Sequence, residues 1–385
     1  MVNAMKILIT TDLYTTETNG VVTSVRNLRD YLKEKGHDVR ILTLSESMNS
    51  HKDGDVSYIR SVPIGVYPNI RMPVSYHHRL VQELIDWKPD VIHSQCEFFS
   101  FQYAARIARL TGAPIVHTYH TLYDQYVTYV VPSKRLGNRL VQIFLRKRLK
   151  NVDQVIAPTH KVEHSLLNYG VKNKISVVPS GISLEQHQKR LTEEERRAKR
   201  ASLGISDDQK VLLYLGRLGT EKNLDELLGL FADAFAENPS LVLLIVGGGP
   251  AREQLERYTD KLHIHDHVIF TGMVEPSEVQ EYYQLGDVFV SASTSETQGL
   301  TYIEAAANGL PLLCRQDLCL QDVIEQGENG FEYTTEEEFL QNIEAIMQNP
   351  DWRVHAGKRS EEIAAGFDKE IFGETMEKVY ESLLK

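Results

Sequence analysis

The run from Val288 to Cys314 sets the strongest limit on what this chain can fold into. It opens on an apolar strand, Val288-Phe289-Val290, and passes through a small, polar turn holding Gly299. A helix follows from Leu300 to about Asn308, closed by Gly309 and Pro311, and a second apolar run starts at once, Pro311-Leu-Leu-Cys314. Gly309 tolerates the left-handed conformation that ends a helix, and Pro311 cannot continue one. A strand, a glycine turn and a helix N-terminus also make an anion site, because unpaired N–H groups and the positive end of the helix dipole point the same way. Glu296 and Glu304 flank that turn. One reading makes them a solvated turn residue and a solvated helix residue. The other notes that carboxylates repel phosphate and accept hydrogen bonds from hydroxyls, which suits the sugar or ribose of a nucleotide-sugar.

The same alternation runs through the chain. Lys6 to Thr11 reads as a buried strand and Val22 to Lys35 as a helix. His37 to Leu44, Asp90 to His93, Pro114 to Thr118 and Gln154 to Ala157 read as strands, with helices over His78 to Trp87 and Phe101 to Thr111. Further on, Lys210 to Leu215, Leu241 to Val246 and Val268 to Thr271 are strands, a helix begins at Leu224, and the chain is helical from Asp351. Thr192 and Glu195 form a capping box at the head of a charged helix. Short strands alternating with helices predict an α/β protein with doubly wound parallel sheets. A chain of 385 residues suits two such domains. Pro179-Ser-Gly-Ile182 marks the expected crossing, giving a first domain of residues 1–178 and a second of 179–366.

In doubly wound sheets ligands bind beyond the carboxyl ends of the strands. Gly216-Arg217-Leu-Gly-Thr-Glu-Lys222-Asn223 follows one strand and leads into a helix, so Arg217 and Lys222 stand where two cations suit a diphosphate. Gly247-Gly-Gly-Pro250 follows the next strand and carries little weight alone. In the first domain, Gly20 lies in the turn between strand and helix, and Tyr119-His120-Thr121 ends another strand. Each is read either as a packed loop residue or as a ligand contact. Asp53-Gly-Asp55 is read as a polar turn, not a metal site.

Charge is unevenly divided. Up to Val178 there are 23 basic and 15 acidic residues, a net +8; beyond it 19 and 38, a net −19. Such asymmetry points to an anionic partner for the first half, and no nucleic-acid module is present, which leaves an anionic membrane surface. Lys134 to Lys150 concentrates the positive charge: Lys134, Arg135, Arg139, Arg146, Lys147, Arg148 and Lys150, with no acidic residue. On a helix Leu136, Leu140, Ile143 and Phe144 share a face ringed by these cations. Two readings stay open, a core-packed helix with a solvated basic side and a membrane-surface helix. The second reading assigns Arg139, Leu140, Phe144, Arg146, Lys147 and Arg148 to the membrane, with Tyr119, Tyr123, Tyr126 and Tyr129 as an aromatic approach. No run reaches the roughly 18 apolar residues that span a bilayer, and Lys6-Ile-Leu-Ile9 is too short for a signal peptide. Cys96, Cys314 and Cys319 form no disulfide framework and no metal-ligand spacing. The expected location is cytoplasmic and peripheral on the inner face of the cell membrane.

These motifs have a counterpart. Glu296 and Glu304 form E-x7-E, and Ser291 to Pro311 resembles the donor-site signature of retaining GT-B glycosyltransferases. The wording of Phe270-Thr-Gly-Met-Val-Glu-Pro-Ser-Glu278 and Ser291 to Thr301 is similar to bacterial 1,2-diacylglycerol 3-glucosyltransferases. The resemblance implies two Rossmann-like domains facing across a cleft, with residues 367–385 crossing back to the first. It implies transfer of glucose from UDP-glucose to diacylglycerol with retention, needing no cofactor and no metal. By the same resemblance Arg217 and Lys222 bind the diphosphate beside Gly216, and Met273 and Val274 hold the base by backbone contacts. Gly299, Leu300 and Thr301 present N–H groups to phosphate and Glu304 holds the ribose. Glu296 and His120 contact the transferred sugar, and Gly20 faces the donor. The catalytic set is thus His120, Arg217, Lys222 and Glu296. The alternatives are the same donor site serving a soluble acceptor, such as a sugar or polysaccharide precursor, and a non-catalytic nucleotide-sugar sensor.

Overall fold

A computed structural model describes residues 4–15, 19–64, 71–123 and 133–384. The chain divides into two compact units, Met1–Gly181 with Lys369–Lys385, and Ile182–Asp368.

The first unit is built on strands β1 (Lys6–Thr10), β2 (Asp38–Ser45), β3 (His51–Asp53), β4 (Val56–Pro63), β5 (Arg71–Pro73), β6 (Val91–Ser94), β7 (Ile115–Thr118), β8 (Gln154–Ala157) and β9 (Lys174–Val177). Their order is β3-β4-β2-β1-β6-β7-β8-β9, with β5 on β4. Pairings are parallel except those of β3 and β5 with β4. β1 is followed by β2 on one side and flanked by β6 on the other, so the winding reverses there. The helix Lys369–Leu383 belongs to this unit, burying Phe372, Met376 and Tyr380 in a cluster with Val25, Leu28, Tyr31 and Leu32 of the helix Gly20–Glu34. Asp55 of the Asp-Gly-Asp turn is taken up by Arg29 and Lys33 at 2.7 and 2.9 Å, an ion-pair role.

The second unit carries β10 (Lys210–Leu215), β11 (Leu241–Val246), β12 (Val268–Gly272), β13 (Val288–Ser291), β14 (Leu312–Arg315) and β15 (Gly330–Tyr333). They lie parallel in the order β12-β11-β10-β13-β14-β15. Helices cover both faces, which is why the strands read as unbroken apolar runs. Successive side chains of β10 alternate between the faces. Val211, Leu213 and Leu215 join a cluster with Ile303 and Ala306, whereas Leu212 and Tyr214 join one with Leu227, Phe231 and Phe339. The winding reverses between β10 and β13, which places the loops after these strands side by side. Both expected sheets are therefore present, and the capping box at Thr192 and Glu195 forms.

Candidate donor site and the polar residues of the first unit

The loop after β10 is fixed from below and from the side. Tyr214, buried, donates its hydroxyl to the Arg217 carbonyl at 3.2 Å. Gly216 N–H donates to Val246 and Leu218 N–H to Gly248, which zips this loop to the one after β11. A Cβ at Gly247 would stand 2.0 Å from the Gly216 carbonyl oxygen, so that glycine serves the close approach of two backbones. The Gly247–Gly249 run is thus explained by packing. Asn223 takes the left-handed conformation at φ 52°, and its amide donates to the Ala292 carbonyl at 3.2 Å, tying the β10 loop to the β13 loop.

Two sequence-assigned residues meet here. Lys222 Nζ lies 2.5 Å from Glu296 Oε1, with side chains 14% and 19% exposed, and Ser293 Oγ donates to the same carboxylate at 3.2 Å. Arg217 pairs with Glu221 on its own loop. Gly299, at φ 75°, opens the helix Leu300–Ala307, and no side chain caps it. The first turn of that helix thus presents N–H groups with no side-chain cap, the arrangement that can hold a phosphate. One helical turn on, Glu304 accepts a hydrogen bond from the buried Tyr283 hydroxyl at 2.7 Å. Burial pushes its carboxyl up to about 7, with the Tyr283 bond opposing the shift. Tyr283 was not legible from the motif: it lies on a different helix, Val279–Tyr283, and reaches Glu304 through the fold. Met273 is exposed, and Val274 packs partly against the core.

In the first unit, Gly20 begins its helix behind Asn19, whose side chain accepts from Val21 N–H at 2.9 Å. His120 follows β7. Its Nε2 lies 2.7 Å from Gln95 Oε1, and burial lowers its pKa to about 4, leaving the imidazole neutral. Gln95 is buried at the end of β6 and was missed by sequence reasoning, as was Glu97, which contacts His117 at 3.1 Å and accepts from the Tyr123 hydroxyl at 2.5 Å.

The basic segment forms the helix Lys134–Leu149, and the structure divides its residues. Leu136, Leu140 and Ile143 are 53, 49 and 56% exposed, beside exposed Arg139 and Lys147. Leu145 and Leu149 are buried in the core. Three residues expected at a membrane are engaged within the unit instead. Arg146 donates to the Tyr169 carbonyl at 2.7 Å, Phe144 stacks on Phe98, and Arg148 lies over the Phe101 and Phe144 rings. The face is narrower than the charge pattern predicts because a guanidinium on a long stem folds back onto nearby rings. Tyr119 is buried and Tyr123 bonds Glu97, so neither faces outward; Tyr126 and Tyr129 lie outside the described residues. Among the described residues no helix is long and apolar enough to cross a membrane, and no cluster of three or more His, Cys, Asp or Glu has the arrangement to hold a metal ion.

Known proteins share this framework. Residues 18–186 match the family model of Glycosyltransferase Family 4, and residues 195–363 that of Glycosyl transferases group 1. An alpha-monoglucosyldiacylglycerol synthase of Streptococcus pneumoniae is 36% identical over 98% of this chain and 85% of its own. One of Acholeplasma laidlawii is 32% identical over 99% of this chain and 98% of its own. Among solved structures, Anabaena HepE in complex with UDP and glucose superposes with a TM-score of 0.75, at 17% identity, over 98% of this chain and 100% of that one. Sheet order, donor-site motifs and full-length identity agree, and the chain belongs to the GT-B glycosyltransferases, in the family of the alpha-monoglucosyldiacylglycerol synthases.

Proposed function

We propose that the protein transfers glucose from UDP-glucose to the 3-hydroxyl of diacylglycerol with retention at the anomeric carbon, making a membrane glycolipid. The observation that carries this reading is the Lys222–Glu296 pair beside the uncapped N-terminus at Gly299, with Glu304 one turn along the helix. The full-length relatives, named as glucosyldiacylglycerol synthases, supply the substrate class.

The chemistry follows from charge. The bond between the anomeric carbon and the β-phosphate oxygen breaks, and the bond to the acceptor oxygen forms on the same face. The acceptor proton passes to the departing diphosphate. Negative charge therefore grows on the leaving phosphate, where Lys222, Arg217 and the N–H groups of Gly299, Leu300 and Thr301 would receive it. Preorganised donors of this kind contribute a few kcal/mol each. Glu304 would accept from ribose hydroxyls, Glu296 from the transferred sugar, and neutral His120 would contact the same sugar without placing a charge beside the oxocarbenium-like centre. Cationic side chains take the place a metal would otherwise fill. The exposed stripe Leu136, Leu140 and Ile143, with Arg139 and Lys147 beside it, would rest the first unit on an anionic bilayer from the cytoplasmic side.

The test is to incubate the purified protein with several nucleotide-sugars and dioleoylglycerol in anionic micelles. The expected product is an α-linked glucosyl diacylglycerol formed from UDP-glucose, its linkage read from the anomeric proton. Transfer to soluble sugars with none to the lipid would overturn the reading.

A further inference from the structure

A closed circuit of side chains lies at the carboxyl ends of β6 and β7. Arg148 sits over Phe144 and Phe101, 5.2 and 5.3 Å from their centroids. Phe144 stacks on Phe98 at 5.7 Å, and Phe98 meets Tyr123 edge-on at 5.4 Å. Tyr123 donates to Glu97, Glu97 contacts His117, and His117 meets Phe101 edge-on at 5.8 Å, which closes the circuit. Glu97 and His117 are its buried floor, and Phe98 is its most exposed member. His120 stands three residues after His117, on the loop that follows β7.

Arg148 is the unexplained member. Its guanidinium is half-buried and held by two ring faces, and it makes no hydrogen bond among the described residues. Burial lowers its pKa against the pull of Tyr76, Glu97 and Asp12, yet among the described residues no carboxylate forms an ion pair with it. Aromatic faces satisfy the charge but not the N–H donors, which lie in the guanidinium plane and stay available at its edge. Beside it stand Phe144 and, stacked on that ring, the exposed Phe98 of the loop after β6. Unused planar donors next to an apolar ledge match a molecule with a carbonyl at one end and hydrocarbon at the other.

We propose that Arg148, framed by Phe98, Phe101 and Phe144, binds an ester carbonyl of the diacylated glycerol acceptor, with the acyl chain leaving over the exposed ring of Phe98. This rests on the lipid-acceptor reading above and adds to it a residue that recognises the ester. It also separates Arg148 from the membrane-docking cations, which a charge count merges with it.

The experiment compares dioleoylglycerol with its diether analogue, dioleylglycerol, which has the same chains and free hydroxyl but no carbonyl. A hydrogen bond to a charged donor is worth about tenfold or more, so the parent should favour the diester by about that factor in kcat/KM. Arg148→Met, which keeps most of the packing volume, should bring the two substrates within about twofold, chiefly by raising KM for the diester. Flotation on anionic vesicles should be unchanged. Should Arg148→Met melt well below the parent, Arg148→Lys serves instead; its point charge lacks the fork and should shrink the preference. An unaltered diester preference in the variant that folds overturns the proposal. Loss of vesicle flotation alongside activity also overturns it and makes Arg148 a contact for anionic headgroups. A parent enzyme that glycosylates neither lipid removes the lipid-acceptor reading itself, a different failure visible before any variant is made.

Discussion

Lys222 Nζ and Glu296 Oε1 stand 2.5 Å apart, across the join between the loops that follow β10 and β13. The cation assigned to a diphosphate and the carboxylate assigned to a sugar thus compensate each other. Both are only partly exposed, and a pair in such a setting interacts more strongly than one in open water. On the proposed roles, a donor sugar diphosphate would offer each partner a substitute: phosphate oxygens for Lys222, hydroxyls for Glu296. Binding and release would then exchange charge pairings without stranding either group.

Glu296→Gln should therefore separate binding from turnover. With the carboxylate gone, Lys222 is uncovered, and UDP affinity should hold or rise. Turnover should fall by about a hundredfold, the scale of losing one strong transition-state contact. Lys222→Ala should lower both turnover and UDP affinity, and should also lower the Tm, because the largely buried Glu296 carboxylate loses its cationic partner. Calorimetry with UDP and initial rates decide it. A loss of UDP affinity in Glu296→Gln as large as that in Lys222→Ala would show that the two do not divide the donor between them.

Glu304 gives a pH signature. Its carboxyl is raised from an ordinary value of 4.5 to about 7 by burial. Between those values the folded protein holds a proton that the unfolded chain has released, so stability is lost as pH rises through the window. At pH 8 the carboxylate is charged and costs the fold on the order of 3 kcal/mol by the size of that shift. Glu304→Gln, neutral throughout and still able to accept from Tyr283, should raise the Tm at pH 8 and leave it nearly unchanged at pH 4.5. The same variant should weaken UDP, since the ribose loses a charged acceptor. An equal Tm shift at both pH values would count against the raised pKa.

The periodic and punctuating residues made much of this legible in advance. β10 and β11 could be bounded from Lys210–Leu215 and Leu241–Val246 because buried parallel strands carry no polar interruptions. Gly309 and Pro311 announced the end of the helix Leu300–Ala307. Contacts between distant segments were not legible. Nothing local marks Tyr283 as the partner of Glu304, or Gln95 as the partner of His120, because each pairing is made by the sheet order. Periodicity also placed Phe144 on an outward face, whereas its ring turns onto Phe98, a neighbour supplied by the loop after β6.

Gly299 tests the anion cradle through the backbone. It holds φ at 75°, and a Cβ there would stand 2.4 Å from the ring of Tyr302, which is buried beneath it. A side chain must therefore strain the turn, displace Tyr302, or both. Gly299→Ala should lower the Tm by several degrees and cut turnover by more than tenfold, because the N–H groups of Leu300 and Thr301 shift with the turn. Retained activity at a reduced Tm would mean that these N–H groups are not what holds the leaving phosphate.

The membrane reading is tested on the residues that the fold leaves outside. Leu140 and Ile143 are exposed and flanked by Arg139 and Lys147, whereas Arg146 is tied to the Tyr169 carbonyl. Replacing Leu140 and Ile143 with Glu removes apolar insertion and adds repulsion from anionic lipid, at little cost to the core because neither side chain is buried. Replacing Arg139 and Lys147 with Ser removes on the order of 1 kcal/mol of attraction each at a charged surface. Both double variants should float less well on anionic vesicles and glycosylate lipid more slowly. The Ser pair should lose its defect at high salt, where screening weakens the parent's attraction too, and the Glu pair should keep part of it because lost insertion is not screened. Arg146→Ser should instead lower the Tm, its side chain being bonded to the Tyr169 carbonyl and packed against Gly170. Flotation at low and high salt, with melting curves for each variant, reads both effects. Parent-like flotation of the Glu pair on anionic vesicles would leave Lys134–Leu149 an ordinary surface helix and take the membrane surface out of the account.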